Sequence, residues 1–171
     1  MNSKIILINI LRWFILLSVQ ILLLRNLSFY DLATPFTYIL FLLLLPFGIP
    51  NLVLYLIAFG TGLTLDTFFD TLGVHTAACV ALAFVRISFI SITVSRDNFD
   101  EQEPTLGNMG FKWFSLYALL CTFSHHLVLF LLEAFRFTEL SYTLARCLLS
   151  GTFTLFTVFM IEFIFYNRKM R

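Results

Sequence analysis

Apolar residues fill this chain in long runs, and polar residues gather mainly where those runs end. The first run, Ile5–Leu24, is introduced by Lys4 and closed by Arg25 and Asn26. A secretory signal has an apolar core of about 7–15 residues and a small-residue cleavage site. This run is longer and has no such site, so it reads as a retained first helix. Asn9, Arg12 and Gln20 interrupt it, which is unlike a purely lipid-facing anchor. A connector, Leu27–Pro35, closes with the helix-start signal Ala33-Thr34-Pro35.

The second run, Phe36–Leu45, stops at Pro46-Phe-Gly-Ile-Pro50, where prolines and a glycine break a helix. The third, Asn51–Leu65, is also short before Asp66. About 15 residues at 1.5 Å each cover ~22 Å, less than the ~30 Å hydrocarbon core. Two readings follow. Either the second helix is short and the third continues through Asp66 to Leu72, or the pair forms a re-entrant hairpin. The first is preferred because the continued helix ends at Gly73, a natural C-cap. A fourth helix runs from His75-Thr76 to Ile92, followed by the main polar connection, Ser95–Gly110, with four acidic residues and a proline. A fifth spans Lys112–Phe135, a turn occupies Arg136–Glu139, and a sixth spans Leu140–Tyr166 before the tail Asn167–Arg171. The expected fold is all-α: a polytopic six-helix bundle, one integral membrane domain over residues 1–171.

Composition narrows the function classes. Apolar residues make up 60%, charged residues only 12%, and the net charge is +1; mean hydropathy is +0.92. A soluble domain carries about 25% charge, and a chain of this size removes only about 70% of its extended surface from water. A soluble enzyme, a disordered regulator and a basic nucleic-acid binder are excluded. Cys79, Cys121 and Cys147 lie within apolar runs, without disulfide or zinc spacing, and read as small buried hydrophobes. The 22 phenylalanines read as lipid-facing filler.

With an even number of helices both termini share a side. That side carries Lys4, Arg96, Lys112, Arg168, Lys169 and Arg171, against Arg25 and Arg136 opposite. The positive-inside rule then puts both termini and the acidic loop in the cytoplasm.

Ionisable residues inside the spans cost at least ~2.5–3.5 kcal/mol near the bilayer centre, so they are the candidate site. The densest group is Gly60-Thr-Gly62-Leu-Thr-Leu-Asp66-Thr-Phe-Phe-Asp70-Thr-Leu-Gly73-Val-His75. On a continuous helix Gly62, Asp66 and Asp70 share a face. The carboxylates repel each other there and sit at the negative end of the helix dipole, so something else must hold them. Arg146 is the best single partner by depth, with Glu133 and His75 in the same half. In the other half Arg12 and Glu162 lie at similar depth and could pair, and Arg86 is placed to snorkel towards the cytoplasm. His125 and His126 are adjacent, diverge by ~100° on a helix, and suit interhelical hydrogen bonds better than a shared ion. An Asp-x3-Asp pair could hold a divalent cation, but the other carboxylates and phosphate-gripping bases of a phosphotransferase are missing. No metal, cofactor or catalytic residue is assigned. Gly60-x-Gly62 fits close helix packing.

The order of these features resembles the MreD family of rod shape-determining membrane proteins. The resemblance rests on the short second run, Gly60-Thr-Gly-Leu-Thr-Leu-Asp66 and Asp70-Thr-Leu-Gly73-Val-His75, with Gly62, Asp66, Gly73 and His75 at the family's signature positions. Downstream, Met109-Gly-Phe-Lys-Trp-Phe, Ser124-His-His126 and Leu132-Glu-Ala-Phe135 resemble the Bacteroidota version. The resemblance implies a non-enzymatic subunit of the elongasome in the bacterial inner membrane. Its fold would be similar to the substrate-binding subunits of energy-coupling-factor vitamin transporters. Its implied partners are an MreC-like protein, a RodA-type glycosyltransferase and class B transpeptidase directly or indirectly, the MreB filament indirectly, and membrane lipid. The alternative is a true vitamin-type transporter subunit using a cavity near Asp66, Asp70 and His75. Such subunits carry an Ala-x3-Ala stripe on the first helix, and no alanine occurs in this one.

Overall fold

Pro46, Gly48 and Pro50 do stop the second apolar run, and the computed structural model of the chain shows what takes the place of a full helix there. It describes residues 3–26, 33–94, 102–134 and 140–166. The expected connector over 27–32, the acidic stretch 95–101, the turn within 135–139 and the tail 167–171 lie outside the described residues. Among those described, the chain is all-helical, with no strand.

Five helices are long and apolar enough to cross a membrane. They are α1 (Ser3–Leu22), α3 (Asn51–Phe69), α4 (Val74–Thr93), α6 (Phe111–Ala134) and α7 (Leu140–Ile164). Two short helices complete the set, α2 (Ile39–Leu44) and α5 (Leu106–Met109), and a 3-10 turn at Leu24–Asn26 follows α1. The chain is therefore a multi-pass membrane protein by its helices. Their surfaces agree: large apolar side chains such as Leu7, Leu22, Leu52, Phe84, Leu148 and Ile164 stand exposed, a pattern suited to lipid rather than water.

The second apolar run is where six long helices become five. Every residue from Ile39 to Leu44 is buried, as are the flanking Phe36, Thr37, Tyr38 and Leu45. Helices α3, α4, α6 and α7 pack side by side in that order, and α2 touches α1, α4 and α6. Non-helical backbone at membrane depth is tolerated only where protein surrounds it, and here the surroundings are the other helices. A hydrophobic segment buried on all sides needs no polar face, and Ile39–Leu44 carries none.

The third helix also ends differently from expectation. It stops at Phe69, and Asp70 is its left-handed C-cap (φ 55°), so the helix does not reach Leu72. The Asp70 and Thr71 amides both return to the Asp66 carbonyl. Gly73 (φ 82°) is not a C-cap but the N-cap residue of α4. Asp tolerates the left-handed region better than most residues and glycine does so freely. The chain therefore reverses within Asp70–Gly73, and α4 returns antiparallel to α3.

Helix contact at this corner is close. A β-carbon on Gly62 would run into the Thr76 α-carbon and lie 2.7 Å from the Thr76 amide nitrogen and 2.8 Å from the His75 carbonyl oxygen. Gly60, on another face, has open space. Of the two glycines in the expected packing pair, only Gly62 marks the backbone approach.

Candidate functional site: the α3–α4 corner and the buried α2 segment

Asp66 is the best-held carboxylate among the described residues. It is buried, and it sits against the first turn of α4. Oδ1 accepts from the Thr71 hydroxyl (2.5 Å) and the His75 amide (2.9 Å). Oδ2 accepts from the Thr76 amide (2.9 Å) and the Thr76 hydroxyl (2.6 Å). Those amides are among the four donors that a helix start leaves unsatisfied, and the α4 dipole is positive there. The support that Asp66 lacks at the end of its own helix comes from the beginning of the next. It is a capping residue supplied from outside the capped helix, in the manner of an N-cap side chain.

The other expected partners part company with it. Asp70 leaves the shared face, and its side chain is 89% exposed, 3.8 Å from the Arg25 guanidinium. Arg25 also lies over the Phe69 ring. Arg146 pairs with Glu133 at 3.1 Å and stacks on Phe130, so it is not the partner of the Asp66–Asp70 pair. Arg12 does not take Glu162: it holds Glu103 through both nitrogens, Nη1 to Oε1 at 3.3 Å and Nη2 to Oε2 at 2.9 Å. Glu162 instead accepts the Leu106 amide at 2.8 Å. Both corrections have one source, the 102–109 segment. It returns to the bundle as α5 and brings a carboxylate and a free amide that reading helix against helix does not supply.

A second polar system surrounds α2 and its flanks. At the entry side, the Thr34 amide donates to Ser150 Oγ (3.1 Å) and the Phe36 amide to Thr154 Oγ1 (2.9 Å). The Gln20 side chain donates to the Pro35 carbonyl (3.1 Å). At the far side, Tyr117 donates to the Leu43 carbonyl (2.8 Å). Arg86 Nη2 donates to the Leu45 carbonyl and, at 3.3 Å, to that of Pro46, while Nε donates to Tyr117 (3.1 Å). Arg86 does not snorkel: it is buried at 3% exposure, with its guanidinium on the carbonyl end of α2. A cation there satisfies orphan carbonyls and opposes the negative dipole end.

The histidines belong to the same system. The Tyr38 hydroxyl lies 3.2 Å from His75 Nδ1 and 2.6 Å from His125 Nε2. One hydroxyl has one proton, so it donates to one ring and accepts from the other. His125 Nδ1 has no partner among the described residues. Tyr38 thus links the His75 and His125 rings through its one hydroxyl. His126 turns the other way, to Thr154 Oγ1 (3.1 Å) and the Thr122 carbonyl (2.8 Å). The two rings serve different elements.

Several residues in these networks escape a reading based on charge. Tyr38 and Tyr117 are two of 6 tyrosines among 22 phenylalanines, and a hydroxyl retained in an apolar run is a signal of a buried partner. Ser150 and Thr154 stand at i, i+4 on α7 and so share a face. Thr71, Thr76 and Glu103 carried no comparable mark. All these groups are engaged in holding backbone and side chains in place, which is structural chemistry.

Comparison of the chain with protein-family models, with curated proteins and with solved structures gives no match.

Proposed function

We propose that this chain is a non-enzymatic, MreD-like subunit of the elongasome, helping to assemble or regulate lateral peptidoglycan synthesis and so maintain cell shape. The observation that supports this reading is the convergence of the signature residues. Gly62, Asp66, Gly73 and His75 all lie at one corner. There Gly62 allows close approach, Asp66 caps α4, Gly73 reverses the chain and His75 contacts Tyr38. A signature spent on holding two helices together suits a protein that acts as a shaped membrane surface. In this reading the chain crosses the bacterial inner membrane six times, with α2 and its flanks as the short buried passage. Both termini are cytoplasmic. The outward faces of its helices meet an MreC-like protein, with the glycosyltransferase, transpeptidase and MreB filament reached directly or through it.

The test is depletion in a rod-shaped host together with purification in mild detergent. Rounded cells and co-purification of an MreC-like protein are expected. Unchanged rod shape and undiminished lateral wall insertion would refute the proposal. A vitamin-sized molecule retained by the purified chain would favour the transporter alternative. Its expected cavity would then have to form beside Asp66 and His75, whose side chains are buried at the corner.

A further inference from the structure

At the end of the bundle opposite the Asp66 corner, α1 stands on α2 and leaves a groove between itself, α7 and the 102–108 segment. Its volume is about 540 Å³. Ile15 and Leu40 line its apolar part, and Arg12, Glu103 and Glu162 line its polar end. This is the size class of small-molecule clefts, ~300–1,000 Å³.

Charge identifies the occupant further. Arg12 and Glu103 neutralise each other in a two-pronged pair. Glu162 is a second carboxylate, only 6% exposed, with Oε2 on the Leu106 amide. Among the described residues no cation lies within ion-pair distance of it. Among the described residues, two carboxylates stand against one guanidinium at this polar end, one negative charge in excess, at the head of an apolar channel. Ile15 is half exposed on the outer side of α1, so the channel opens towards lipid.

We propose that this groove binds one membrane phospholipid whose headgroup carries an ammonium group, with an acyl chain along Ile15 and Leu40 and the ammonium on Glu162. An anionic headgroup would meet excess negative charge and is disfavoured. The proposal rests on membrane insertion alone and is independent of the role in wall synthesis.

The experiment is native mass spectrometry of the full chain in mild detergent, offered equal amounts of phosphatidylethanolamine and phosphatidylglycerol with identical acyl chains. One phosphatidylethanolamine per chain is expected, retained over phosphatidylglycerol by about tenfold, the scale of one charge-assisted contact. Glu162→Gln keeps an acceptor for the Leu106 amide, so the fold is preserved, and the preference should fall towards unity. Ile15→Trp, at a half-exposed position, should fill the channel and lower retention of both lipids. Equal retention of the two lipids by the unaltered chain overturns the proposal. So does a preference unchanged in Glu162→Gln, or a co-purified polypeptide that shields Ile15.

Discussion

Asp66, in the last turn of α3, accepts the backbone amide of Thr76, in the first turn of α4, at 2.9 Å. The same carboxylate that the dipole of its own helix disfavours is favoured by the dipole of the next. Capping side chains contribute about 0.5–2 kcal/mol, and each orphaned buried donor costs about 1–3 kcal/mol. Asp66→Ala strands four donors at once and should lower the thermal midpoint in detergent sharply. Asp66→Asn keeps one acceptor oxygen and should fall between Ala and the parent chain. Equal midpoints for Asp66→Ala and the parent would contradict the capping role.

The Glu133–Arg146 pair makes a sharp contrast. It is partly exposed, with side-chain accessibilities of 42% and 25%, so the pair is worth about 0.2–1 kcal/mol. A double-mutant cycle on Glu133→Gln and Arg146→Ala should reveal a coupling of that size. The same cycle on Asp66→Asn and Arg146→Ala should be additive within about 0.3–0.5 kcal/mol. Coupling in the second cycle and none in the first would reverse the assignment of Arg146.

Gly60 and Gly62 differ by two positions and should respond in opposite directions. Gly62→Ala drives a methyl into the α4 backbone, which has no flexible end to move aside, and overpacking costs about 1–3 kcal/mol. Gly60→Ala meets nothing within 4 Å and removes a helix-interior glycine, a change worth up to about 1 kcal/mol in favour of the helix. Chemical denaturation of the two variants in the same detergent compares them directly.

Arg86 holds the carbonyl end of α2, so its removal should loosen that segment rather than the long helices. Arg86→Met retains the stem but leaves the Leu45 and Pro46 carbonyls and the Tyr117 hydroxyl short of a donor. A loss of about 1–3 kcal/mol follows for each group left unsatisfied. Amide hydrogen exchange should rise over residues 39–47 before it rises in α3 or α6. Uniform protection across all helices would argue that other groups carry the segment.

Much of the fold was legible because apolar run length is a direct reading of bilayer thickness. Helices α1, α4, α6 and α7 lie close to their expected spans, and Pro46, Gly48 and Pro50 announced the break before α3. The corner was legible only in part. Gly62, Asp66, Gly73 and His75 stood out by residue type and spacing. Their arrangement did not, because a rule that sets Asp66 against Asp70 at i, i+4 assumes one continuous helix. Asp70 instead adopts a left-handed cap, and the face ends at Asp66.

By itself the sequence determined that this protein lives in the membrane, that it is built of helices, and that its few polar residues inside the spans carry the information. Their partners were decided by tertiary structure. Backbone amides and carbonyls take no letter in a sequence, yet they satisfy Asp66, Arg86 and Glu162 here. Side-chain charges counted by depth find only one another. In a bilayer core without water every broken backbone bond needs a replacement, so the buried α2 segment draws those side chains to itself. Where the second apolar run sits is therefore what sets the pairings.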